Sequence, residues 1–151
     1  MDITQKHNVA SYGALKKLAA ANAVTAGGSG DATQVTGITI DRMSAFQNGS
    51  MPGSAVFAVV GETTLASSQT LTIAYTIEHS SDNSTWSTYQ SATAATVATA
   101  TGDVNFEIAV DLNSAHRYVR LKYTPDLSAS GTDTAALRAV GWFAGFDRYA
   151  Q

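Results

Sequence analysis

Gln69-Thr70-Leu71-Thr72-Ile73-Ala74-Tyr75-Thr76-Ile77-Glu78-His79 alternates an apolar side chain with a small or polar one along almost its whole length. Successive side chains of an extended chain point to opposite faces. Leu71, Ile73, Tyr75 and Ile77 therefore share one face, while Thr70, Thr72, Ala74, Thr76 and Glu78 share the other. The stretch reads as a long strand with one buried face.

The same period of two recurs downstream. Val104, Phe106, Ile108 and Val110 oppose Asn105, Glu107, Ala109 and Asp111, and Val119, Leu121 and Tyr123 oppose Tyr118, Arg120 and Lys122 before Pro125 ends the run. Upstream, Ile38 and Ile40 share a face opposite Thr39 and Asp41, and Ser54 to Gly61 is a nearly continuous apolar run that suits a central strand. Asn48-Gly49, Pro52-Gly53, Asn113-Ser114 and the polar run Ser80 to Ser84 supply turn chemistry between these segments. Residues 91–102 read as a loop or a soft edge strand and Asp126 to Asp133 as a loop. Thr134 to Tyr149 closes the chain with small and aromatic residues, among them Trp142, Phe143 and Phe146.

Several strands separated by turns, with no alternating long helices, imply an all-β fold: an antiparallel β-sandwich or jelly roll occupying residues 30–151. Its core is expected to contain Ile73, Ile77, Phe106, Ile108, Val119 and Leu121. Trp86 is expected to follow the Ser80 to Thr85 turn and cover one end of that core. Residues 1–29 read as an amino-terminal arm, with a short helix or an extended segment over 10–26. In helical projection Leu15 and Leu18 lie on one side, with Lys16-Lys17 turned to water. Tyr12, Leu15 and Leu18 are accordingly candidate partner-binding residues. Removal of residues 2–26 is expected to leave a folded sandwich.

The chain has 151 residues, 44% of them hydrophobic, so it can bury a core. Charged residues make up 14% of it, well below the usual share of about 25%. With a net charge of -3 and basic residues scattered apart from Lys16-Lys17, it has no electrostatic footprint for nucleic acid. Cysteine is absent, which removes disulfides, thiol nucleophiles and thiolate metal sites. Met1 to Val9 carries Asp2, Lys6 and His7 with no apolar stretch behind it and does not read as a signal peptide. The apolar runs are too short to cross a bilayer as helices, and no membrane partner is expected.

Chemistry-bearing motifs are sparse. The carboxylates fall mostly in turns or on polar strand faces, and a calcium site at Asp82 or within Asp126 to Asp133 would need several convergent oxygens. His7, His79 and His116 have no metal-ligand spacing. Gly27-Gly28-Ser29-Gly30 lacks the Lys-Ser/Thr of a phosphate loop, and no G-x-S-x-G elbow occurs. Asn48-Gly49-Ser50 and Asn83-Ser84-Thr85 fit the glycosylation pattern but also read as ordinary turns. Trp86, Tyr89 and Trp142 could stack on sugars or plug the core. The reading is of a chain that is not an enzyme and needs no cofactor.

Ile77-Glu78-His79-Ser80-Ser81-Asp82-Asn83-Ser84-Thr85-Trp86, followed by Arg117-Tyr118-Val119-Arg120-Leu121-Lys122-Tyr123, resembles strand pairs of two groups. One is the discoidin-like β-sandwich that binds carbohydrate or membrane surfaces. The other comprises small structural proteins of tailed bacteriophages, including head decoration or cement proteins. Discoidin-like modules usually carry cysteines, absent here, whereas a neutral Thr/Ala/Gly-rich body resembles the phage group. That resemblance implies a virion protein at the capsid surface that stabilises the shell by bridging subunits of the major capsid protein, as a homo-oligomer. The alternatives are a non-catalytic carbohydrate-binding module and another tail or head-completion protein.

Overall fold

The computed structural model describes residues 13–46, 51–129 and 131–146. They form nine strands: β1 (Gly13–Thr25), β2 (Val35–Thr36), β3 (Ile40–Asp41), β4 (Pro52–Thr64), β5 (Leu71–Ser80), β6 (Ser87–Ala98), β7 (Gly102–Asp111), β8 (Tyr118–Leu127) and β9 (Thr134–Phe146). One antiparallel sheet, here sheet A, has the order β1-β9-β4-β7. Sheet B has the order β2-β8-β5-β6, with β3 also pairing β8. The result is a β-sandwich, as the alternating patterns imply.

The core lies between the sheets. Leu71, Ile73 and Ile77 of β5 and Val119 and Leu121 of β8 have no exposed surface and face Phe57, Val59, Leu137 and Phe143 of sheet A across the interior, while Ile108 of β7 is 3% exposed. Phe57 and Phe143 pack at 5.4 Å between ring centroids. Phe106 is partly buried and packs against Tyr75 at 6.0 Å. The edges β6 and β7 are fastened on one side: Gln90 Nε2 donates to the Tyr75 hydroxyl at 3.0 Å and to the Ala109 carbonyl at 3.3 Å. Of residues 91–102, 91–98 lie in the edge strand β6, most of them exposed, 99–101 form the turn after it and Gly102 opens β7.

Residues 13–25 form a strand, not a helix, and the described part of the expected arm belongs to the sandwich. Pairing with β9 along the whole of β1 buries Leu18 and Val24, and this tertiary gain overrides the helical preference of the alanines. Removal of residues 2–26 would strip an edge strand and the core side chains of Leu18, Ala19, Val24 and Ala26. Register shifts between Lys17 and Ala19 and between Ala19 and Asn22 mark bulges, which is why Leu18 and Ala19 are both buried.

Ile38 does not share a buried face with Ile40. Between β2 and β3 the chain passes so close to both sheets that a side chain on Gly37 would lie 2.5 Å from the Leu121 carbonyl oxygen and 2.7 Å from that of Leu18. Gly37 N–H donates to Leu121 and Ile38 N–H donates to Leu18, tying sheet B to the bulge of β1. The kink leaves Ile38 exposed and Ile40 buried.

Candidate functional site: the outward face of sheet A

Core burial takes one side of each sheet, so the surface chemistry of the sandwich is decided by the other. On sheet A, the register places Leu15, Trp142, Val56 and Ala109 in one row across β1, β9, β4 and β7. The adjacent row is Lys17, Val140, Ala58 and Glu107, and the row on the other side is Gly13, Ala144, Ser54 and Asp111. Leu15 is 63% and Val56 38% exposed. An apolar stripe therefore faces outward across the full width of the sheet, with opposite charges at the ends of the neighbouring row.

Gly13 shapes the stripe. A side chain there would lie 2.2 Å from the indole of Trp142, so the glycine gives the ring room to lie against β1. Trp142 is in turn half-buried, and with Val56, Ala109, Ala144 and Gln90 it lines a shallow concavity near the β7 edge. Small Ala109 leaves that end of the stripe low, while Leu15 stands proud at the β1 end.

The outward face of sheet B is chemically different. Glu78 accepts from Arg120 Nε at 2.6 Å and from Lys122 Nζ at 2.9 Å. Burial pushes the Glu78 carboxyl up, but the two cationic donors outweigh it and hold it below the usual range. The Arg120 guanidinium lies 4.0 Å from the centre of the Trp86 ring, a cation–π contact. Trp86 thus sits half-buried on this outward face instead of covering the end of the core, because Arg120 offers its ring a flat cationic partner there.

At one end of the sandwich, Arg42 is 3% exposed. Its guanidinium donates to the carbonyls of Ala115 at 2.5 Å, His116 at 3.1 Å and Pro52 at 2.7 Å, clamping the loop between β7 and β8 to the start of β4. Beside it Arg117 makes a two-point ion pair with Asp41 at 2.7 and 2.8 Å, which holds that carboxyl well below the usual range. His79 stacks on His116 at 4.2 Å and packs against Tyr89 at 5.0 Å. Burial, and then the neighbouring His116, lower the pKa of His79.

Of the candidate partner-binding residues, Leu15 lies on the apolar stripe, Leu18 is fully buried between the sheets, and Tyr12 lies outside the described residues. His7 and Asn48-Gly49-Ser50 also lie outside them. Asp82 is engaged by its own turn: it accepts from the Ser84 and Thr85 N–H groups at 2.9 and 2.8 Å and from the Ser80 hydroxyl, which lowers its pKa. Asn83, of the second glycosylation pattern, occupies that turn at φ 58°. Asp133 is buried and accepts from the Ala66 N–H. Among the described residues no group of three or more His, Asp or Glu side chains is placed to hold a metal ion.

Sequence reasoning missed Val56 and Val140 as surface residues, and Arg42 altogether, whereas Ala109 already stood on the outward side of its alternation. The signal for the first two was the near-continuous apolar run of β4 and the small and aromatic composition of β9, which leave apolar groups for both faces.

Fold and site together define an all-β sandwich with one apolar outward face. No protein-family model matches the chain, and no curated protein matches it. Among solved structures it is similar to the crystal structure of the infectious bursal disease virus VP2 subviral particle, with a TM-score of 0.43 and 10% identity over 88% of this chain. The chain spans 32% of that protein's length.

Proposed function

We propose that the chain is a non-catalytic structural protein of a tailed-phage virion, which decorates the capsid surface and stabilises it by bridging major capsid subunits as a homo-oligomer. The observation that carries a binding role is the outward apolar stripe Leu15, Trp142, Val56 and Ala109 on a weakly charged body. With few fixed charges, affinity comes from burying neutral surface with matched hydrogen bonds, not from long-range steering. An oligomer touching several capsid subunits gains a high effective concentration for each later contact. The phage context is supported by the resemblance of Ile77 to Trp86 and Arg117 to Tyr123. A sugar platform has less support, because one face of Trp86 is taken by Arg120.

The test is co-sedimentation of the full chain with decoration-free capsids at low and high salt. Binding that varies little with salt is the expected result. A chain that never associates with shells overturns the capsid role.

A further inference from the structure

We propose that the outward face of sheet A is a self-association surface, on which a second copy of this chain docks face to face about a two-fold axis parallel to the strands and passing between β9 and β4. This deepens the homo-oligomer element of the proposed function and stands apart from its capsid element.

The rows are self-complementary. A two-fold axis in that position lays β1 of one copy over β7 of the other and β9 over β4, with each row kept opposite itself. In the first row, Leu15, which is 63% exposed, then meets the second copy's Ala109, at the concavity beside Gln90, and Trp142 meets the second copy's Val56. Large side chains thus oppose smaller ones. In the next row, Lys17 of each copy meets the second copy's Glu107, and Val140 meets the second copy's Ala58. Two opposite-charge pairs therefore flank an apolar centre, the arrangement of an interface core with a polar rim.

The competing axis, perpendicular to the strands, lays each strand on its own copy. Passing through the charged row, it sets Lys17 against Lys17 and Glu107 against Glu107. Passing through the apolar row, it sets Leu15 against Leu15 and Trp142 against Trp142. Like charges or two bulky groups then collide, so charge and volume both favour the parallel axis.

The area is sufficient. Four strands about 4.8 Å apart, with outward rows from Ser54 to Glu62 extending about 30 Å, give about 600 Å² per copy and about 1,200 Å² in all, the lower end of a specific interface. Aligned packing of two twisted sheets about 10 Å apart needs no change in either sandwich.

The experiment is sedimentation velocity and light scattering on the full chain, with circular dichroism of every variant. The expected result is a dimer for the native chain, with the dissociation constant raised by about tenfold or more in Lys17→Glu and in Glu107→Lys. The double variant K17E/E107K, which restores opposite charges across the axis, recovers native affinity to within about threefold. Ala109→Arg, exposed and outward, fills the concavity and yields a folded monomer. A native chain that is monomeric at every reachable concentration, a closed trimer, or a double variant no tighter than the singles overturns the proposal. Capsid co-sedimentation is read separately, so a folded monomer that still binds shells defeats this dimer without touching the capsid reading.

Discussion

The two outward faces of the sandwich are built on sheets of similar size and yet present opposite chemistry. Sheet B covers its outside with Glu78, Arg120, Lys122 and Trp86, each satisfied by a neighbour on the same face. Sheet A leaves Leu15, Val56 and Trp142 outward with no other part of the described chain laid over them. A face whose polar groups pair with one another is finished within the molecule, whereas an apolar stripe gains free energy from a further layer. The fold has solved its internal packing in both sheets and left an apolar outward face on one.

Changes on the inner faces set the scale for any comparison of the outer ones. Ile73→Ala on β5 and Ile108→Ala on β7 are each expected to cost about 2–5 kcal/mol through lost burial and a residual cavity, read from chemical denaturation. A difference below about 1 kcal/mol for both would mean that the inward and outward faces have been exchanged, and the comparison would collapse.

The second largest effect belongs to sheet B. Glu78→Ala leaves two half-buried cations without their shared acceptor, and a loss of about 1–3 kcal/mol is expected from denaturation at neutral pH. Because the folded carboxyl is held below its ordinary value, this contribution is present above about pH 4 and is lost as the pH falls through the folded value. The native chain and the variant should therefore converge in stability in acid. A gap that persists unchanged at low pH would remove the ion pairs as its cause.

A smaller effect comes from the rim, where His79 stacks on His116 and packs against a tilted Tyr89. Its folded pKa is depressed, first by burial and then by His116, so the unfolded chain binds the proton more readily. The associated stability is present above about pH 6.5 and declines as the pH falls below it. In His79→Gln the slope of stability against pH in that window should flatten. An unaltered slope would assign the pH dependence elsewhere.

The smallest effect sharpens the contrast most. Leu15→Ser should change the stability of the dilute chain by less than about 0.5 kcal/mol, since the side chain is 63% exposed. The same change should weaken association. A large destabilisation in dilute solution would make Leu15 a structural residue and not a contact for a partner.

How much of this was legible in the sequence depended on how differently the two sides of each strand are solvated. β5, β7 and β8 bury one side and wet the other, so Ile73, Ile108 and Leu121 declared their faces through simple alternation. β4 and β9 carry apolar groups on both sides, so their strands were readable but the outward stripe was not. In β1 the three-residue spacing of Leu15 and Leu18 reads as one side of a helix, whereas the strand sends Leu15 outward and Leu18 into the core, and the bulge at Lys17 to Ala19, fixed by pairing with β9, leaves no local signature. Arg42 was invisible because its acceptors, Pro52, Ala115 and His116, come from segments remote in sequence.

Hydroxyl-radical footprinting of the full chain, dilute and then concentrated, compares the two faces in one measurement. Leu15 and Trp142 are expected to lose reactivity on concentration while Trp86 keeps its own. Protection of Trp86 with Leu15 and Trp142 unchanged would contradict a docking role for sheet A.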